Sequence, residues 1–371
     1  MKIGIVTVHS AYNYGAMLQA FATQRVLTEM GHQVQFIDFY PYELEKANNN
    51  LKIDFTLKGI ALFLYLKSNI SHKKRLKRFR EFREQLHLSK RYFTKKEIYE
   101  APPKFDAYLV GSDQVWNVEH GMNTFNFLDF VNEKASRKMS YASSFGTEEI
   151  PDEYKVKLKE LLADFSAISV REDDGVKIVK EATGRCAAQV LDPTLLLSKD
   201  EWEQHIEQKP KIDREYILIY ALTNTEKSVQ MVEALRKRYN LDVVGVPMGH
   251  RVPSKFNVNR EIKDAGPFEF VSLFRNAKVV CTSSFHGLAF AINFEKTFFV
   301  VPHLTRNSRL NSLLKVLDLQ DRQAYLPSKI KDISDSELFM DYSSVVPVLN
   351  NCRDSSMAFL KKNFAVPAEI S

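Results

Sequence analysis

The sequence predicts an α/β protein of two domains, each built on a parallel sheet, and three observations carry that prediction. Strand-like and helix-like runs alternate over most of the chain, 371 residues are too many for one ordinary core, and a break at Leu191-Asp192-Pro193 falls near the middle. Hydrophobic residues at 44% and charged residues at 26% are the proportions of a folded chain and exclude wholesale disorder.

Residues 2–9 read as the first strand and 11–15 as a turn. Residues 16–30 read as a helix, with Leu18, Phe21, Ala22 and Leu27 at helical spacing and Gly31 as its stop. A strand over 33–39 completes a βαβ unit, which requires parallel neighbours. From about 43 to 103 the alternation breaks, and an apolar patch followed by a basic helix, with Leu76, Phe79, Phe82 and Leu86 along one side, reads as an insertion. Strands over 107–110, 138–142 and 167–170, with helices over 152–165 and 173–181, finish a first domain spanning 1–190.

The second domain is expected over 191–342, with strands at 216–220, 242–246, 278–282 and 297–301. Helices are expected at 226–239, 267–276, 288–294 and 310–317. Residues 343–371 form a closing helix, from about 343 to 363, and a tail. There is no internal repeat and no low-complexity segment.

Charge narrows the function classes. Lys and Arg number 52 against 46 Asp and Glu, a net charge of +6, and the excess gathers between Lys73 and Lys96, where Glu81 and Glu84 are the acids. Such a stretch is by default the solvated face of a helix; an anionic membrane surface is the alternative use. Nucleic acid is disfavoured because aromatic interleaving is limited and no nucleic-acid motif accompanies the charge. Three cysteines, far apart and without a CxxC pair, argue against a disulfide framework and a zinc site. No secretory signal and no bilayer-length apolar run is visible, so a cytoplasmic protein is expected.

The most informative segment is Thr282-Ser283-Ser284-Phe285-His286-Gly287, which joins a hydrophobic strand to an apolar helix. Free backbone N–H groups and the positive end of that helix suit a phosphate or carboxylate, and Ser283 and Ser284 add hydroxyl donors. An imidazole beside such an anion suits a general acid, whereas a His capping a buried turn is structural. The residues alone leave both readings of His286 open. Arg171, in Ser169-Val170-Arg171-Glu172, either forks onto an oxyanion or pairs with Glu172 or Asp173. Arg306 and Arg309, ahead of the 310–317 helix, either reach an anion or lie solvated.

Asn13-Tyr14-Gly15-Ala16 follows the first strand without a GxGxxG pattern, which disfavours a nicotinamide or flavin enzyme. The run Gly111-Ser112-Asp113-Gln114-Val115-Trp116-Asn117 gathers groups that hydrogen-bond sugar hydroxyls and stack on a sugar ring, although Trp116 is equally suited to anchoring a core.

Taken in order, several segments resemble the polysaccharide pyruvyl transferase family. They are the Asn13-Tyr14-Gly15-Ala16 turn with Leu18-Gln19, Phe105-Asp106 through Gly111-Ser112-Asp113-Gln114-Val115-Trp116-Asn117, Ser140-Tyr141-Ala142-Ser143-Ser144-Phe145-Gly146, Ser169-Val170-Arg171-Glu172, Leu191-Asp192-Pro193-Thr194 and Ser284-Phe285-His286-Gly287. The resemblance implies two Rossmann-like domains facing a cleft, a glycosyltransferase-B-like fold with the basic insertion in its first domain. It also implies pyruvyl transfer from phosphoenolpyruvate to a saccharide, commonly as a cyclic ketal, in capsule or exopolysaccharide synthesis.

On that reading His286 is the acid and Asp113 a base. The donor is held by Ser283, Ser284, Gly287, Arg171, Arg306 and Arg309, and the acceptor by Asn13, Tyr14, Gly15, Gln114, Trp116 and Asn117. Some relatives carry an Arg two residues before the His, where this chain has Ser284; Arg171 or Arg309 would supply that charge. No cofactor and no metal is expected beyond phosphoenolpyruvate as donor substrate. A lipid-linked acceptor would bring the protein to the inner face of the membrane, with Lys73 to Lys96 as the contact. Two rival readings share these residues: a glycosyltransferase using a nucleotide sugar, and a non-catalytic binder of a sugar or anion.

Overall fold

The protein is seen in a computed structural model that describes residues 1–41, 59–119, 121–132, 136–206, 212–249, 251–301, 307–323 and 333–365, with the backbone alone over 59–69. The apolar patch expected near 60–64 and Arg306 therefore lie outside the described side chains. Two compact units form: Met1–Asn69, Phe79–Leu196 and Cys352–Ser371 in the first, Ile70–Arg78 and Leu197–Asn351 in the second.

The boundary thus falls after Leu196 rather than after residue 190, because Asp192 is bonded into the first unit through Ser112 and Arg171. The helix Val345–Phe364 is likewise no separate tail. Its later residues belong to the first unit, where Ser356 Oγ accepts the Leu191 N–H at 3.0 Å and Leu360 and Phe364 are buried at successive four-residue steps. Part of the expected insertion is also core, since Phe79, Phe82 and Leu86 are buried.

The first unit carries five parallel strands, β1 Lys2–Val6, β2 Gln33–Phe36, β3 Ala107–Val110, β4 Arg137–Ser140 and β5 Phe165–Ala167, in the order β2-β1-β3-β4-β5. All four residues of β3 are buried, as expected of a central strand covered on both faces. The helix Tyr14–Glu29 connects β1 to β2. Its first turn holds no acid, and Asn13 supplies the cap by accepting the Ala16 N–H at 3.2 Å. Gly31, at φ 85°, takes the left-handed turn that ends it.

The strand expected over 167–170 is interrupted at Ile168. Ser169–Val170 forms β6 and pairs with β7, Ala188–Gln189, in a separate parallel pair. Bridges from Asp113 to Ser143 and from Ser143 to Val170 carry the pairing beyond the carboxyl ends of β3 and β4.

The second unit repeats the principle with β8 Tyr216–Tyr220, β9 Asp242–Gly245, β10 Arg260–Glu261, β11 Ala277–Thr282 and β12 Thr297–Val300, all parallel, in the order β10-β9-β8-β11-β12. Helices Glu226–Tyr239 and Pro267–Asn276 stand where their spacing predicts, the first capped by Thr225, the second led by Pro267. The helix expected at 288–294 instead begins at Phe285 and ends at Asn293. Ser284 accepts the Gly287 N–H and so starts the helix early, which moves His286 out of a loop and into the first helical turn. Both units are Rossmann-like α/β folds of parallel strands.

Candidate active site

In open parallel sheets, ligands bind beyond the carboxyl ends of the strands where the strand order reverses direction. In the second unit that place lies between β8 and β11, and the Thr282 to His286 segment leaves β11 there. Thr282 Oγ1 donates to the Tyr220 carbonyl at 2.6 Å and accepts the Ser284 N–H at 3.0 Å. The Leu222 N–H donates to Ser283 Oγ at 3.0 Å. Gly287 completes the junction by size: a Cβ there would stand 2.2 Å from Thr282 Oγ1 and 3.0 Å from the Tyr220 ring. The two strand ends and the helix N-terminus are thereby tied into one small structure.

Its chemistry follows from what each group has already spent. The Ser283 and Ser284 oxygens each accept a backbone N–H, and among the described residues neither hydroxyl donates, so each keeps its hydrogen for an oxyanion. The helix Phe285–Asn293 contributes its positive end. His286 stands second in that helix and keeps 7% of its surface exposed. Cys281, next to Thr282 in β11, is fully buried and its thiol is pushed up to about 12 by desolvation, which removes it as a nucleophile. The helix Ser308–Val316 follows β12 and places half-buried Arg309 at its second position, on a helix that touches Phe285–Asn293.

The first unit gathers most of the other motif residues into a buried charge network. Arg171 Nη1 donates to Asp192 Oδ2 at 2.8 Å and Nε to Glu172 Oε1 at 3.2 Å, with Asp113 Oδ1 at 3.9 Å. Ser112 Oγ donates to Asp192 at 2.8 Å, Ser144 Oγ to Glu172 at 2.6 Å, and Thr194 closes on Asp192 Oδ1 at 2.7 Å. Burial by itself would lower the Arg171 pKa; Glu172, Asp192 and Asp113 more than reverse this and hold it above its ordinary value. Asp192, which the sequence offers as part of the domain break and of a family-motif segment, is the acceptor on which Ser112, Arg171 and Thr194 converge. The expectation that Arg171 forks onto a donor oxyanion is corrected by this: its side chain is 2% exposed and faces three carboxylates.

Several expected acceptor contacts are also structural. Trp116 is 1% exposed, stacks on Phe127 with ring centroids 5.2 Å apart and donates Nε1–H to the Asn126 carbonyl, so it anchors the core. Asn117 donates to the Phe145 carbonyl and accepts from Glu119 N–H. Tyr14 is buried with its ring 5.1 Å from Phe79, and Gly15 is buried beside it in the helix. Asp113, at φ 68°, spends Oδ1 on the Gln114 N–H in a tight turn and keeps part of its side chain exposed. Exposed Asn13 and half-buried Gln114 keep accessible surface. Gln114 makes no side-chain hydrogen bond among the described residues.

The basic stretch is not simply a solvated face. Arg78 pairs with Asp264 at 3.2 Å and Glu269 at 2.9 Å within the second unit, and Arg83 and Arg91 both pair with buried Asp38 in the first. These pairs need acids far away in sequence, which no local pattern shows. Among the described residues no group of three or more His, Cys, Asp or Glu side chains could hold a metal ion.

Comparison with known proteins adds the family. The family model described as polysaccharide pyruvyl transferase matches residues 13–304. Similar solved structures include S. aureus MnaA in a co-structure with UDP, 12% identical over 98% of this chain and 96% of that one, with a TM-score of 0.51. A UDP-GlcNAc 2-epimerase from Methanocaldococcus jannaschii, 12% identical over 95% and 99%, scores 0.48. A glycosyltransferase from Rickettsia africae, 12% identical over 98% of each chain, scores 0.46. At such identities the likeness is one of fold, and the fold is glycosyltransferase-B-like in having two Rossmann-like units. No curated protein matches the sequence. Because the matched stretch runs from the Asn13 cap through the Arg171 network and past the His286 turn, the chain belongs to the polysaccharide pyruvyl transferase family.

Proposed function

We propose that this transferase moves a pyruvyl group from phosphoenolpyruvate onto a saccharide, with the 283–287 segment of the second unit as the donor site. One observation carries the reading: two serine hydroxyls that donate to no described residue, a helix N-terminus and His286 share the carboxyl end of β11 at a switch in strand order. Phosphoenolpyruvate offers two anionic groups to such donors, and Arg309 is the nearby residue of the same unit that would add positive charge.

The reaction then balances as follows. Protonated His286 gives its proton to the donor's methylene carbon, and the neighbouring carbon becomes electrophilic. A sugar hydroxyl forms a C–O bond there and releases its proton. The C–O bond to phosphate breaks, and phosphate leaves with the electron pair. A second hydroxyl of the same sugar adds to the vacated position and closes the ketal. One hydroxyl proton is retained in the new methyl group through the imidazole, and the other leaves on phosphate. The same reading places the reaction in cell-surface polysaccharide assembly on the cytoplasmic side, where the donor is made. Among the described residues no helix is long and apolar enough to cross a membrane.

The test is ligand-induced thermal stabilisation of the purified protein. Phosphoenolpyruvate at a hundred times its dissociation constant should add about 2.7 kcal/mol of stability, while UDP- and GDP-sugars leave the transition where it was. Stabilisation by a nucleotide sugar and not by phosphoenolpyruvate would transfer the assignment to glycosyl transfer.

A further inference from the structure

A cavity of about 360 Å³ opens in the first unit and uses residues that the donor site does not. It lies beyond the carboxyl ends of β1 and β2, the ligand side of a parallel sheet, and falls within the size range of small-molecule pockets. Tyr12 and Tyr40 are the tyrosines of its lining, Arg80, Arg83 and Arg91 supply charge, and Glu84 is the acid in the lining.

The base of the cavity is organised by a residue outside it. Asp38 is 2% exposed and takes Arg83 on one oxygen and Arg91, at 3.2 Å, on the other, with His9 Nε2 at 3.3 Å. Burial works to raise the Asp38 pKa, but His9 and Arg83 bring the carboxyl below its ordinary range, so it stays ionised. Its single charge is met by two guanidiniums, and both lie over the Tyr40 ring, at 5.0 and 4.8 Å. Arg80 makes no ion pair among the described residues. With Glu84 set against it, the lining and its base retain a net positive charge. Guanidinium planes held by Asp38, with half-buried Tyr12 in the same lining, suit a ring-bearing oxyanion better than a bare ion or a neutral sugar.

We infer that this cavity binds an anionic saccharide, a sugar carrying a phosphate or carboxylate, through Arg80, Arg83 and Arg91. The inference deepens the proposed function, since it names the chemical class of the acceptor. The segment that builds the cavity wall, 79–91, belongs to the stretch the family motifs leave unexplained.

The test is calorimetric binding to the full chain without phosphoenolpyruvate, so that its result is independent of pyruvyl transfer. The probes are glucose 1-phosphate, methyl glucuronide, methyl glucoside and inorganic phosphate. At least one of the two anionic sugars should bind ten times or more tighter than methyl glucoside and inorganic phosphate, and which one does so separates phosphate from carboxylate. Arg80→Glu, an exposed substitution, should weaken that binding at least tenfold. Lys227→Glu, the same charge change on an exposed helix of the second unit, should leave it unchanged. Equal binding of neutral and anionic sugars, phosphate binding as tightly as glucose 1-phosphate, no binding at all, or equal loss in both variants would each overturn the inference. Binding that passes this test while the thermal shift with phosphoenolpyruvate fails would refute the proposed reaction and leave the cavity assignment standing.

Discussion

Asp192→Ala is expected to destabilise the first unit by about 3–5 kcal/mol, because removing one partner of a buried ion pair leaves the other charge uncompensated. Arg171 is buried with its Nη1 committed to Asp192, and Glu172 is itself shared with Ser144. The substitution also removes the Asp192 acceptor of Thr194 Oγ1 and of Ser112 Oγ, the latter keeping the Ala142 carbonyl at 3.0 Å, so two buried hydroxyls lose a hydrogen bond along with the guanidinium. Asp192→Asn, which keeps the shape and an acceptor, should cost less. Urea unfolding followed by tryptophan fluorescence reads this cleanly, since Trp116 reports the first unit and Trp202 the second. A midpoint for Asp192→Ala equal to that of the unaltered protein would show that the network does not hold the unit together.

The other large effect is expected at His286. Loss of a general acid typically costs about 10²- to 10⁴-fold in rate, and His286→Ala should lower phosphate release from phosphoenolpyruvate, in the presence of the saccharide, by that amount. Since the ring is largely buried, His286→Gln serves as a companion that fills more of the space and still cannot donate a proton from a charged imidazole. Both variants should retain the unfolding transition of the second unit. Full activity in either, with that transition intact, would assign His286 to structure and return the binding-only reading to favour.

The fold was legible because its strands are short apolar runs punctuated by helices. The predicted strand 216–220 and helices 226–239 and 267–276 coincide with Tyr216–Tyr220, Glu226–Tyr239 and Pro267–Asn276. Strand order could not be read, since nothing in the sequence of β8 states that β9 and β11 flank it. The helix at His286 was misplaced because a Gly in its first turn resembles a loop; Ser284, read as a ligand donor, is also the cap that extends the helix.

The fate of the motif residues has the same cause. Arg171, Ser112, Ser144 and Asp192 are spread over 80 residues between Ser112 and Asp192, and what each side chain does depends on partners brought by other strands. An Arg beside a Glu at a strand end looks alike whether it faces a ligand or a buried carboxylate. Asp38 illustrates the reverse case: a lone acid after β2 gave no signal, yet it organises Arg83 and Arg91 of the basic stretch.

The most direct measurement is the NMR response of the His286 imidazole to phosphoenolpyruvate, with its resonances assigned by their loss in His286→Gln. On this account they shift in a saturable way as phosphoenolpyruvate is added and are unmoved by UDP-sugars. Saturable phosphoenolpyruvate binding that leaves the His286 ring unperturbed, or no binding at all, would contradict it.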